Sequence, residues 1–123
     1  MSERRRLPDV RESVTRRFQV PWREGNQEPL KVYVVVGLYE DGCPGEIFIK
    51  CDKAGSLVSG AFDATALMMS IALQHGAPLA TLTSKLRGMQ FEPRGMTGDK
   101  EFPTAQSVLD LVARWMESKW VTP

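Results

Sequence analysis

The chain has 123 residues, enough for one domain with its own core and no need of staples. Hydrophobic residues make up 42%, charged residues 25%, and the net charge is +1, so no global field draws the molecule onto nucleic acid or a membrane. Two cysteines and one histidine leave a structural zinc site short of ligands, and no metal is expected.

Residues 1–12 are polar and arginine-rich and read as an extended basic arm; residues 13–123 read as one domain. Val14 to Val20 alternates in part and predicts an edge strand. Pro21 to Pro29 is a loop by composition. Leu30 to Tyr39 is nearly continuously apolar and β-branched, which predicts a central strand buried on both faces. Glu40 to Gly45 is turn chemistry, with Gly42 and Gly45 supplying positive φ and Pro44 fixing its own, and Glu46 to Lys50 resumes a strand. Ser56 is placed to cap a helix running to about Gln74, closed by Gly76 and Pro78. That helix is apolar almost all round (Leu57, Val58, Phe62, Leu67, Met68, Met69), so it needs cover on more than one side, and a second copy of the chain is the expected cover. A short helix follows from about Ala77 to Leu86, then a short strand at Met89 to Glu92 and a loop from Arg94 to Pro103. The last helix, Thr104 to Trp120, buries Val108, Leu111, Val112, Trp115 and Met116, with Asp110, Arg114, Glu117 and Lys119 elsewhere. The expected fold class is α+β: a small antiparallel sheet of three to four strands with two to three helices mainly on one face.

The weakly charged stretch from Ala54 to Ser84 carries one formal charge, Asp63, but its glycines, Pro78 and polar residues argue against a membrane span. The N-terminal Ser-Glu-Arg-Arg-Arg lacks a following apolar region, so a cytoplasmic location is expected. Cys43 lies in the turn and Cys51 ends the next strand. Eight extended residues span roughly 26 Å, far beyond the ~7 Å reach of a disulfide, so two free thiols are expected.

The hairpin phrase Gly37-Leu-Tyr-Glu-Asp-Gly-Cys-Pro-Gly-Glu-Ile-Phe-Ile49 resembles the C-terminal region of adenosylcobalamin (vitamin B12)-dependent ribonucleoside-diphosphate reductases. The likeness continues through Lys53-x-Gly55-Ser56, Ser59-Gly60, Asp63, Ser70-x-Ala72-Leu73-Gln74-x-Gly76-x-Pro78-Leu79, Phe91-Glu92-Pro93-x-Gly95-x-Thr97 and Arg114-Trp115. This is similar to the TSCPD-type domain, although the eponymous Thr-Ser-Cys-Pro-Asp is replaced here by Pro103-Thr-Ala-Gln-Ser107. The resemblance implies a link to deoxyribonucleotide metabolism, with adenosylcobalamin present only by family association and a reductase catalytic subunit as an expected partner. Ribonucleotide reduction itself needs a radical cysteine, a reducing cysteine pair and an enclosing barrel, and the chain is read as non-catalytic on its own.

Lys53, Gly55 and Ser56, at a helix start with close backbone approach, form one candidate anion site; the competing reading is plain N-capping beside a solvated lysine. Arg87, Phe91 and Arg94 form a second, with a ring for a base and guanidinium groups for phosphates; the competing reading is a core phenylalanine and two solvated arginines. Arg16 and Arg17 are further candidate phosphate contacts. Asp63 is read as paired or solvent-facing, and His75 as serving the helix dipole. The basic arm is diluted by Glu3, Asp9 and Glu12, so nucleic acid is not an expected partner. Two functions compete: a free-standing nucleotide-binding accessory module of the reductase, and an oligomer that binds and sequesters a nucleotide or cyclic nucleotide signal. A hydrolytic or redox enzyme using Cys43 or Asp63 is a third.

Overall fold

A computed structural model describes residues 3–22, 28–53 and 55–121, so the middle of the loop expected from Pro21 to Pro29 lies outside the described residues. Three strands, β1 (Ser13–Val20), β2 (Leu30–Leu38) and β3 (Pro44–Cys51), form an antiparallel sheet in the order β1-β2-β3. The β1 register sets Phe18 opposite Val32, and the β3 register sets Ile49 opposite Val34. Strand alternation sends Phe18, Val20, Leu30, Val32, Val34, Val36, Ile47 and Ile49 to one buried face.

Helix α1 (Leu57–Gln74) and helix α3 (Val108–Trp120) cover that face. Phe62, Ala66 and Met69 come from the first, and Val108, Leu111, Val112, Trp115 and Met116 from the second. Phe18 lies edge-on to both Trp115 and Phe102, with centroids 6.2 and 6.3 Å away. Such edge-to-face aromatic pairs add to the area they bury. Helix α2 (Leu79–Leu86) joins α1 to the segment leading into β4 (Gly95–Met96) and β5 (Thr104–Ala105), which pair antiparallel. The architecture is α+β.

Three expectations need correction. The central strand is buried on one face only: Lys31 and Tyr33 are exposed and Val35 is half-buried, because the helices cover a single side of the sheet. No strand forms at Met89–Glu92; the short strand lies at Gly95–Met96, inside the segment expected to be loop, and pairs with Thr104–Ala105. The last helix therefore begins at Val108, with Ser107 Oγ accepting from Asp110 N at 3.0 Å as its N-cap.

The hairpin turn closes as expected at Gly42, whereas Gly45, expected to supply positive φ as well, does not: it already lies in β3, which begins at Pro44. Gly42 has φ +86°, Gly42 N donates to the Tyr39 carbonyl at 2.9 Å, and Asp41 Oδ1 accepts from Cys43 N at 2.9 Å. The arm is extended and docks here: Tyr39 Oη donates to the Arg5 carbonyl, the Arg5 guanidinium sits 3.9 Å over the Tyr39 ring, and Arg11 makes two 2.8 Å bonds to Glu46. A Cβ at Gly45 would meet the Tyr39 ring at 2.6 Å. Gly45→Ala is therefore expected to displace that ring and lower stability by about 1–3 kcal/mol, as overpacking does; urea denaturation measures it.

At the outer edge of β3, Ser70 Oγ accepts from Ile47 N at 2.8 Å and Gln74 Nε2 donates to the Gly45 carbonyl at 2.9 Å. Side chains of α1 thus occupy part of an edge that would otherwise invite another strand. By length and composition α1 is apolar enough to cross a membrane, but here it is docked along β3, burying Phe62, Ala66, Met69, Ser70, Leu73 and Gln74.

Candidate functional site

Period two in β1 separates the adjacent Arg16 and Arg17. Arg16 shares the buried side with Phe18, lies 4.5 Å over its ring and bonds Asp99. Asp99 Oδ2 also accepts from Phe102 N at 2.9 Å and Glu101 N at 3.1 Å. Partial burial pushes the Asp99 carboxyl up, but these N–H groups and Arg16 outweigh it and hold it below the usual carboxylate range. Arg17 points to the opposite, open face and has no ion pair or hydrogen bond from its side chain among the described residues.

The corner before α1 behaves first as a cap. Ser56 Oγ accepts from Ser59 N at 3.2 Å and donates to the Lys53 carbonyl, and Gly55 has φ +77°. Lys53 is exposed, its ammonium 5.9 Å from the Trp22 ring centroid.

Arg87 follows α2 and pairs with Glu117 of α3 at 3.0 Å, and Thr83 Oγ1 donates to the same carboxylate at 3.1 Å. Phe91 is partly exposed, with its N–H on the Gln106 carbonyl at 3.2 Å, and Arg94 pairs with Glu92 at 2.9 Å. Arg94 also lines a shallow groove with Gly95, Met96, Thr104, Ala105 and Gln106. The candidates thus fall into separate places: the α1 corner, the 87–106 segment, the Arg16–Asp99 contact, and Arg17 on the open sheet face.

Asp110, assigned by helical spacing to a polar face, is instead buried and anchors the 87–106 segment. It accepts from Gly88 N at 2.7 Å, Gln106 N at 3.0 Å and Arg114 at 3.0–3.2 Å. Burial raises its carboxyl, yet the Arg114 and backbone bonds more than offset this and leave its pKa lowered. The Ser107-x-x-Asp110 spacing is a capping signal and was the available hint.

Asp63 is exposed and pairs with Lys50 at 2.8 Å. Cys43 and Cys51 are both free. Partial burial and the neighbouring Asp41 push the Cys43 thiol up, which disfavours the thiolate a nucleophile requires. No group of three or more His, Cys, Asp or Glu is arranged for a metal among the described residues.

The TSCPD domain matches residues 5–119, nearly the whole chain. The chain belongs to the TSCPD domain family. The vitamin B12-dependent ribonucleotide reductase of Rhodopirellula baltica is 43% identical over 113 residues, which is 92% of this chain and 10% of that protein. The reductase of the same description from Streptomyces avermitilis is 40% identical over 90% of this chain and 11% of its own length. The one from Bradyrhizobium diazoefficiens is 35% identical over 93% and 9%. The chain therefore spans about a tenth of the length of these relatives. No solved structure matches it.

Proposed function

We propose that this TSCPD domain is a nucleotide-binding accessory module of deoxyribonucleotide metabolism, acting beside a reductase catalytic polypeptide in the cytoplasm and turning over no substrate itself. The observation that carries this reading is the 43% identity across 92% of the chain to a reductase of which it represents 10%. Recognition falls to Arg87, Phe91 and Arg94; Lys53, Gly55 and Ser56 at the α1 corner, Arg16 beside Asp99, and Arg17 on the open sheet face lie elsewhere and are not part of that site. The pairs made by Arg87 and Arg94 are partly exposed, and such pairs stabilise the fold little. Exchanging Glu117 or Glu92 for a phosphate therefore costs little, and a phosphate offers each guanidinium a bidentate geometry where its present pair uses one nitrogen. Adenosylcobalamin enters through the relatives' names alone. The grooves beside Met68 and Arg94 are shallow and enclose no large group, and no step here runs through that cofactor.

Self-association belongs to the same reading. Leu57, Leu67 and Met68 are 88%, 54% and 59% exposed along α1, and Met68 lines a shallow apolar groove with Ala64, Met69, Ala72 and Leu82. An exposed apolar stripe of this kind marks an interaction surface.

Calorimetric titration of the purified chain with ribonucleoside di- and triphosphates tests the proposal. Saturable binding is expected, and Arg87→Ala with Arg94→Ala should weaken it about tenfold or more, as lost charged hydrogen bonds do. Absence of binding to every nucleotide, or unchanged affinity in the double variant, would remove this cluster as the site.

A further inference from the structure

The face of the three-stranded sheet opposite the helices brings exposed rings and cations together. Cross-strand register places Arg17, Tyr33 and Lys50 in one row, and Thr15, Val35 and Phe48 in the next. Tyr33 and Phe48 are 44% and 43% exposed and sit on the diagonal, roughly 7 Å apart by sheet geometry. Lys31, two residues before Tyr33, faces the same way. Tyr33 is thus ringed by three cations. Lys50 pairs with Asp63, whereas the Arg17 and Lys31 side chains have no acidic partner among the described residues. Among the described residues the acids beside these cations are each engaged: Glu46 is held by Arg11, Asp63 by Lys50, and Asp52, opposite Lys31, accepts from the Lys31 backbone N–H at 3.4 Å.

We propose that this face binds single-stranded nucleic acid, Tyr33 and Phe48 stacking two successive bases while Arg17, Lys31 and Lys50 take the phosphates. Neighbouring exposed rings on a sheet, flanked by cations, are the means by which single strands are held with little sequence preference. The charge distribution selects this occupant. A second copy of the chain would bring the same uncompensated cations against each other, whereas a polyanion with flat π faces satisfies both cations and rings. The net charge of +1 argues against nucleic acid for the molecule as a whole, but steering and contact follow the local field of a face. This site is separate from the Arg87–Arg94 cluster, so either can fail without the other.

The test is fluorescence anisotropy of the full chain with a labelled oligothymidylate of about twelve nucleotides, enough to cross one such platform. Micromolar affinity that falls with salt is expected. Tyr33→Ala and Phe48→Ala should each weaken it about fivefold or more, while Tyr33→Phe keeps it, because the ring and not the hydroxyl stacks. Arg17→Ala should reduce the slope of log affinity against log salt by about one contact. These side chains are exposed, so circular dichroism and thermal melts of the variants should match the parent. Arg87→Ala and Arg94→Ala should leave oligonucleotide binding unchanged. The proposal is overturned by no binding at about 100 μM protein in low salt. It is overturned equally by affinity indifferent to both ring variants, by equal competition from base-free polyphosphate, or by ring variants that abolish capture of a reductase polypeptide while the oligonucleotide never binds.

Discussion

Asp110→Ala is expected to cost about 2–4 kcal/mol of folding stability, the range for stranding two backbone N–H groups and breaking a half-buried charge pair. The loss should be local as well as global. Gly88 N and Gln106 N both lose their acceptor, so amides across the 87–106 segment should exchange faster, which hydrogen exchange measures residue by residue. Asp110→Asn keeps an acceptor and should cost less, though the Arg114 charge pair is gone. The same carboxylate gives a pH dependence with a definite sign. Its folded pKa lies below the unfolded value, so its contribution is present above the ordinary carboxylate range and disappears as pH falls through the depressed value. Asp99 is lowered too and acts in the same direction. Urea midpoints should therefore fall in acid below about pH 4, and the Asp110→Asn variant should lose less over that interval than the parent.

Met68→Glu is expected to turn a self-associated protein into a monomer. Met68 is 59% exposed at the middle of α1, so a carboxylate there is well solvated in the lone chain and costs the fold little. Facing an apolar partner surface, the same charge is desolvated without a partner, which penalises association by several kcal/mol. Sedimentation equilibrium of parent and variant measures the shift. A parent that is already monomeric at micromolar concentration, or a variant that associates as well as the parent, would count against α1 as the contact.

Much of the fold was legible because local chemistry and long-range packing agree. Gly42 and Asp41 specify the turn between β2 and β3, and Ser56 and Gly76 mark the ends of α1. The Arg16–Arg17 divergence follows from strand period alone. The misread places share another cause. Leu30 to Leu38 is apolar enough for a strand buried on both faces, but which faces are covered depends on where α1 and α3 dock. Asp110 lies among polar residues on a helical wheel, and only the return of the 87–106 segment buries it. Thr104 and Ala105 join a two-residue ladder whose partner lies eight or more residues upstream, so no local pattern announces it. The same holds for the open sheet face, whose rings and cations come from three strands and meet only in register.

The proposed module recognises nucleotides through surface cations and performs no reduction. Native mass spectrometry of freshly purified protein, followed by denaturing analysis of whatever small molecule it retains or is offered, tests that most directly. An assembly of two or more subunits carrying a ribonucleotide that is released chemically unchanged is expected. A bare monomer that retains no offered nucleotide, or release of a deoxyribonucleotide formed by the chain alone, would contradict it.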